Sequence, residues 1–322
     1  MEPQLDRTAS SASAKAAQKM RCFEQMKETF EKDQECGRSI QYAVLKALNA
    51  YVEQSDEKTI QGMQNDLNDI CAFLVQETMR IDLLQGKSAI LVRSVCEYYK
   101  TMAGKHYQES DSSEVIRRKV AQTGLIMLGH AAFAHKKIVK CSKKLIRNHQ
   151  TILLHGFSSV VGKVLKKAAE NGIQFNVLIT EANPHKTGQH MLEYLAKSAS
   201  INCNLIHDLS VAHHMSTVDY VFLGAEAVAE NGGIANRIGS YTIALCAKTF
   251  QKPVYVFTES LKFIREYPLV QGDILRIMPE HRESLTTTVD FTPPEFITLL
   301  FTDVGVITPS AVSDELISFF QS

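Results

Sequence analysis

Residues 221–260, VFLGAEAVAENGGIANRIGSYTIALCAKTFQKPVYVFTES, decide the fold. The stretch opens with a short apolar strand, residues 221–223, and turns at Gly224, Ala225 and Glu226. A glycine-rich loop (Asn231, Gly232, Gly233) leads into a helix whose apolar face is Ile243, Ala247 and Phe250. A second strand, residues 254–257, closes the unit and runs into Thr258, Glu259 and Ser260. Strand, loop, helix and strand in that order form a right-handed crossover unit of a parallel sheet. In such sheets ligands sit where loops leave the carboxyl ends of the strands. Glu226, Asn236, Arg237 and Glu259 all fall at that edge.

Upstream, the same alternation begins after the polar run Arg147, Asn148, His149 and Gln150. Residues 151–154 read as a buried strand that ends in His155, Gly156, Phe157, Ser158 and Ser159. The helix that follows has Val161, Val164, Leu165 and Ala168 on one face, and Asn171-Gly172 is a left-handed stop for it. Strands at residues 175–179 and 203–206 complete a set of five, with a helix around residues 191–196 between them. The alternation predicts a doubly wound, Rossmann-like α/β domain over residues 149–322. In its tail, Thr292 and Glu295 read as a capping box for a helix carrying Phe296, Leu299 and Leu300, stopped by Gly305. Ser313 opens a last helix.

Before residue 150 the period is helical throughout. Ile40, Val44, Ala47, Leu48 and Tyr51 make one stripe; Ile60, Met63, Leu67, Ile70 and Leu74 make a second; Leu91, Val95, Tyr98 and Met102 make a third. Residues 113–145 predict a long helix weakened only by Gly124 and Gly129. Residues 21–148 are therefore expected to be a helical domain. Residues 1–20, rich in Ala, Ser, Lys and Gln without an apolar stripe, are expected to be a mobile lead-in.

Composition narrows the function. The 322 residues carry 35 basic and 35 acidic side chains, a balance that argues against a nucleic-acid platform. No apolar run approaches the roughly 18 residues of a membrane helix, and the N-terminus lacks a signal-peptide core. The seven cysteines (Cys22, Cys36, Cys71, Cys96, Cys141, Cys203 and Cys246) are singletons, without the spacing of a zinc or redox motif. A reducing cytoplasm suits them best. His213-His214 has no third ligand at metal spacing and reads as surface. Lys136, Lys137, Lys140, Lys143, Lys144 and Arg147 form a basic helical run without interleaved aromatics, which suits a solvated face or a protein contact better than RNA.

The five strand ends carry His155, Glu181, Asp208, Glu226 and Glu259. Polar groups gathered at one edge suit acid–base chemistry, although carboxylates there also cap helices. The turns at residues 156–159 and 232–239, with Arg237 and Lys262 for charge, resemble anion cradles, but neither is a nucleotide-binding loop. No metal or cofactor is indicated.

The strings GAEAVAENGGIANRIGSYTIALCAK, KPVYVFTESLKF and ITLLFTDVGVITPSAVSDELI resemble the regulatory subunits (alpha, beta and delta) of eukaryotic translation initiation factor 2B, above all the alpha branch. The same family holds aldose–ketose sugar-phosphate isomerases such as methylthioribose-1-phosphate isomerase. The likeness is dense from about residue 151 onward and thin upstream, and the first 35 residues match nothing in the family. It implies a non-catalytic regulatory subunit of the guanine nucleotide exchange factor for initiation factor 2. It further implies a homodimer joined through the α/β domain, assembly with beta and delta subunits and through them gamma and epsilon, and sensing of the phosphorylated alpha subunit of factor 2. The isomerases use a cysteine and an aspartate, whose positions are Gly156 and Glu226 here. Asn236 matches a substrate-contacting asparagine, Arg237 stands in place of a lysine, and Asn183 in place of an arginine. The resemblance thus implies a relic crevice without its catalytic pair. Ser158, Ser159, Asn236 and Arg237 are its candidate sugar-phosphate contacts. An active isomerase is the remaining alternative, with His155 as its base.

Overall fold

The computed structural model describes residues 4–33, 40–80, 89–108, 112–277 and 288–321; Cys36 and the first three residues of the expected lead-in lie outside them. Its contacts divide the chain into two units, residues 1–132 and 133–322. The sequence boundary at residue 148 therefore moves back into a helix.

The first unit is helical: α1 (Gln4–Asp33), α2 (Ile40–Glu53), α3 (Ile60–Arg80), α4 (Ala89–His106) and most of α5 (Ser113–Cys141). The predicted stripes supply its core, with Val44, Leu48, Ile70 and Leu74 fully buried. The lead-in differs from expectation, because residues 4–20 are helical and continuous with α1. A buried stripe of Cys22, Phe23, Met26 and Phe30 anchors the second half of α1. Once that half is helical, the Ala- and Lys-rich residues before it propagate the helix cheaply. Lys15 pairs with Glu57 and lies 3.5 Å from Asp66, while Lys19 lies 3.2 Å from Asp69. Gly124 does not break α5. A Cβ there would stand 1.9 Å from Asn49 Oδ1, so glycine is what lets α5 pass α2 closely.

The second unit is a doubly wound sheet. Its strands are β1 (Thr151–His155), β2 (Phe175–Thr180), β3 (Ile201–Ile206), β4 (Tyr220–Leu223), β7 (Val254–Phe257), β10 (Leu299–Phe301) and β11 (Val306–Ile307). They are ordered β11-β10-β7-β4-β1-β2-β3, and only β11 is antiparallel. The five predicted strands are adjacent in this order, with β3 at the sheet edge. β1, β4 and β7 read as nearly continuous apolar runs because both faces are covered, as parallel sheets require; at the edge, Asn202 and Asn204 interrupt β3. One face packs α6 (Ser159–Glu170) and α7 (Thr187–Leu195) through Val161, Val164, Leu165 and Met191. The other packs α8 (Val211–His214), α9 (Ser240–Thr249) and α11 (Val312–Gln321) through Val211, Ile243, Ala247 and Leu316. The end of α5 belongs to this unit, since Ile138 is buried in the first of these cores.

Three local readings are corrected. The glycine-rich segment is a hairpin rather than a loop: β5 (Ala227–Ala229) pairs antiparallel with β6 (Ile234–Arg237). With β8 (Phe263–Ile264) and β9 (Val289–Thr292) they build a second sheet, ordered β8-β5-β6-β9. The expected helix after Thr292 is a 3-10 turn, Pro294–Phe296, followed by strand β10, and Gly305 lies in the turn between β10 and β11. Thr292 belongs to the end of β9 rather than to a cap, and β10 satisfies its backbone by pairing parallel with β7. Phe250 is 41% exposed at the C-cap of α9 and leaves the apolar face to Ile243, Ala244 and Ala247.

Phe222 sits fully buried at the centre of the sheet, with Phe257 and Tyr255 rings 4.8 and 6.1 Å away. Phe222→Ala is expected to cost about 3–5 kcal/mol in a denaturant titration, because a central parallel strand cannot collapse onto the void. A loss below about 1 kcal/mol would mean that the strand is not packed in this way.

Candidate functional site

The strand order reverses between β1 and β4, which run parallel with Leu153 beside Val221. In α/β sheets, ligand crevices lie at such switch points, outside the carboxyl ends. Here the turn after β1, the turn after β4 and the small sheet that continues from β4 meet. The first two nearly touch: a Cβ on Gly224 would lie 2.7 Å from Ser158 Oγ. Ser158 is the N-cap of α6, accepting the Val161 amide at 3.5 Å, and Ser159 is the first residue of that helix.

Glu226 and Arg237 face each other across β5 and β6. Arg237 Nε is 3.0 Å from Glu226 Oε1, and both side chains are largely buried. Each keeps one buried atom without a hydrogen-bond partner among the described residues, Glu226 Oε2 and Arg237 Nη1. Asn236 donates to Ser240 Oγ at 3.0 Å, and that hydroxyl donates to the Arg237 carbonyl at 2.8 Å. The structure thus brings Ser158, Glu226, Asn236 and Arg237 to one edge, with Asn236 and Ser158 already engaged in local bonds.

Gly156 has a left-handed backbone, φ +59°, in a tight place. A Cβ there would stand 2.5 Å from Thr187 Oγ1 and 2.9 Å from the Ala182 Cβ. His155 is buried, with Nδ1 2.7 Å from Thr180 Oγ1 and Nε2 2.8 Å from the Ile238 carbonyl oxygen. A carbonyl only accepts, so Nε2 carries the proton and Nδ1 accepts from the hydroxyl. Burial lowers the pKa of the ring. Both ring nitrogens are therefore occupied in a neutral, structural histidine.

The other strand ends serve local structure. Asp208 accepts the Ala182 and Asn183 amides, each at 2.8 Å, and Asn183 Nδ2 donates to Glu181 at 3.0 Å. Glu259 is buried between His135 Nε2, 2.9 Å away, and Lys262 Nζ, 3.0 Å away. Burial works against its anion, but Lys262 and His135 outweigh that and hold its carboxyl well below the usual range. Lys262 Nζ also donates to the Ala225 carbonyl at 3.0 Å. The lysine expected to meet a phosphate is thus occupied in bracing the turn before Glu226. Among the described residues, no group of three His, Cys, Asp or Glu side chains is placed to hold a metal.

Two groups were missed by sequence reasoning. His135 reaches Glu259 from α5. Asp290, on β9, caps α9 by accepting the Gly239 amide at 2.8 Å and the Tyr241 amide at 3.0 Å. The only sequence signal for Asp290 is a carboxylate inside the apolar strand Val289–Thr292.

The family model for the initiation factor 2 subunit family matches residues 34–309. The chain belongs to that family. It is 36% identical over 302 residues to the translation initiation factor eIF2B subunit alpha of Dictyostelium discoideum, covering 88% of this chain and 92% of the relative. It is also 30% identical over 233 residues to a ribose 1,5-bisphosphate isomerase of Archaeoglobus fulgidus, covering 69% of this chain and 72% of that one. Among solved structures, it superposes on a chain of the tetrameric eIF2B-beta2-delta2 complex from C. thermophilum with a TM-score of 0.75. That match has 18% identity and covers 92% of this chain and 94% of that chain. The helical region followed by a parallel-sheet domain is thus the fold that this family member shares with it.

Burial pushes the Asp290 carboxyl up to about 7, against the pull of the two amides it accepts. The native protein then binds a proton that the unfolded chain has released. The contribution of Asp290 favours the native state most below about pH 4 and is lost as pH rises through about 7. Asp290→Asn removes that titration. Denaturation between about pH 5 and pH 8 is expected to show wild type losing stability relative to the variant, by an amount of order a few kcal/mol. A stability difference that does not change with pH would overturn the assignment.

Proposed function

We propose that this chain is a non-catalytic regulatory subunit, of the alpha kind, of the guanine nucleotide exchange factor for translation initiation factor 2. In this reading it mediates inhibition by the phosphorylated alpha subunit of factor 2. The observation that carries the proposal is its 36% identity to an eIF2B alpha subunit across 92% of that relative. The reading includes a cytoplasmic homodimer formed through the α/β domain, joined by beta and delta subunits. Light scattering on the purified chain, alone and then with beta and delta subunits, tests it. The expected result is a dimer that converts to a larger complex. A particle that ignores both subunits would overturn it.

The absence of catalysis is supported by backbone geometry as well as by residue type. At the isomerase cysteine position, Gly156 combines φ +59° with Thr187 Oγ1 and the Ala182 Cβ 2.5 and 2.9 Å from where a Cβ would stand, so a side chain there forces those neighbours to shift. Gly156→Cys is expected to destabilise the protein by roughly 1–3 kcal/mol, as left-handed strain does, and to produce no isomerase activity. Turnover of ribose 1,5-bisphosphate or methylthioribose-1-phosphate by either form would overturn that expectation.

A second reading is supported by the Glu226–Arg237 pair, which keeps buried, unpartnered atoms at the switch point. The crevice binds a sugar phosphate, with Ser158, Ser159, Asn236 and Arg237 as contacts. Calorimetry with pentose and hexose phosphates is expected to give binding that Arg237→Ala weakens by roughly tenfold or more, the loss expected for a charge-assisted contact. No heat with any of them would remove this reading and leave the subunit reading intact.

A further inference from the structure

We propose that the cationic stripe at the end of α5 is a docking surface for an acidic segment of a partner protein. Lys136, Lys137, Lys140, Lys143, Lys144 and Arg147 are all exposed, opposite the buried face of Ala134, His135, Ile138, Ser142 and Ile146. Although α5 ends at Cys141, the turn continues, with the Ser142, Lys143 and Leu145 amides bonded to Ile138, Lys140 and Ser142 carbonyls at 3.1, 3.4 and 3.0 Å. Lys136 and Lys140 lie one turn apart on α5, Lys143 and Lys144 in the turn that continues it, and Arg147 just beyond, so the cations follow one another from the helix into the segment after it. Beside them lies α6, packed through Ile138 and Ile146, whose outward Lys163, Lys166 and Lys167 add to the same field.

The region is unusual in what it lacks. Residues 115–169 contain twelve Lys and Arg and no Asp or Glu. None of the six stripe cations forms an ion pair among the described residues, and Glu170, which follows the region, is taken by Lys167 at 2.8 Å. A folded protein with 35 basic and 35 acidic side chains has carboxylates available to neutralise such a stripe, yet places none within it. Unpaired like charges at helical spacing repel one another, and an opposing row of carboxylates relieves that repulsion.

The stripe fits an acidic peptide better than a nucleic acid. Five of its six cations are lysines, which lack the planar fork that grips phosphate. No aromatic lies between them for a base to stack on; Phe133, at the near end and 55% exposed, is already covered by the Lys136 ammonium at 5.0 Å from its ring. Outside the stripe, 29 basic side chains face 35 acidic ones, so a long polyanion would run from the stripe onto net-negative surface. A short segment with carboxylates one helical turn apart does not.

The test uses the full chain and a fluorescein-labelled helical peptide of about 20 residues, with glutamates at four-residue spacing on one face. In anisotropy titrations the peptide is expected to bind and to lose affinity several-fold between about 0.05 and 0.2 M salt. The charge reversal K140E/K144E/R147E is expected to weaken it at least tenfold, and the neutral K140Q/K144Q to weaken it less. Circular dichroism checks that both variants stay folded; these are exposed positions, and the neutral pair serves alone if the triple variant does not fold. Binding that is absent, or unchanged in the variants, would overturn the proposal. So would a polyuridine of about 20 nucleotides that binds more tightly than the peptide at equal salt and loses affinity in the same variants, since the surface would then be one for nucleic acid.

Discussion

The parallel pairing of β1 with β4 is the constraint on which the rest of the α/β unit depends. Those strands run in register, Ile152 with Tyr220 and Leu154 with Phe222, so their carboxyl ends stop at the same level. The chain leaves β1 toward β2 on one side and β4 toward β7 on the other. The crevice is the gap left where those two paths diverge. Only glycine at position 224 lets the β4 turn pass the α6 cap, since a Cβ would press on Ser158. Every candidate contact is a consequence of that divergence, including those on the small sheet, which grows directly from the turn after β4.

The small sheet makes the crevice edge rigid by tying together segments distant in sequence. Asp290 is 51 residues from the amide of Gly239 that it accepts. It does the work of an N-cap for α9, whose own cap residue, Gly239, has no side chain to offer. Glu259, His135 and Lys262 play the corresponding part on the other side, and Lys262 ends on the carbonyl beside Glu226. Buried charges are costly unless every partner is present, so these clusters hold the turns in one arrangement. The result is a platform shaped like an active site and braced by groups that are not themselves free to react.

How much of this was legible in the sequence follows from the range of each interaction. Most of the predicted strands were plain because parallel strands covered on both faces are largely apolar runs, and α2 to α5 because their stripes repeat at helical spacing. The small sheet was hidden because AVA and IANR are too short to show any period, and Gly232 and Gly233 read equally well as a loop. Thr292 and Glu295 satisfied a capping pattern, but Thr292 ends β9 and the pairing of β10 with β7 claims the residues that would have continued a helix. Residues 4–20 looked formless because their helicity is borrowed from Phe23, Met26 and Phe30 downstream. Within the candidate site, Gly156, Ser158, Glu226, Asn236 and Arg237 lie next to strand ends and could be found locally. Asp290 and His135 could not, since nothing in their neighbourhoods points to the amides or the carboxylate they meet.

In the proposed non-catalytic reading, glycine at position 156 is more than an absent side chain. With a left-handed backbone, and with Thr187 Oγ1 and the Ala182 Cβ 2.5 and 2.9 Å from where a Cβ would stand, the turn after β1 admits a side chain there only if those neighbours shift. Glu226 is in turn ion-paired with Arg237, its Oε1 3.0 Å from the Nε. Both features favour a stiff surface over a reactive one, which suits the proposed regulatory reading, in which the protein presents faces to other proteins. The stripe of Lys136, Lys137, Lys140, Lys143, Lys144 and Arg147 is the face proposed for such a contact, because leaving like charges unneutralised costs stability that a solitary protein gains nothing by giving up.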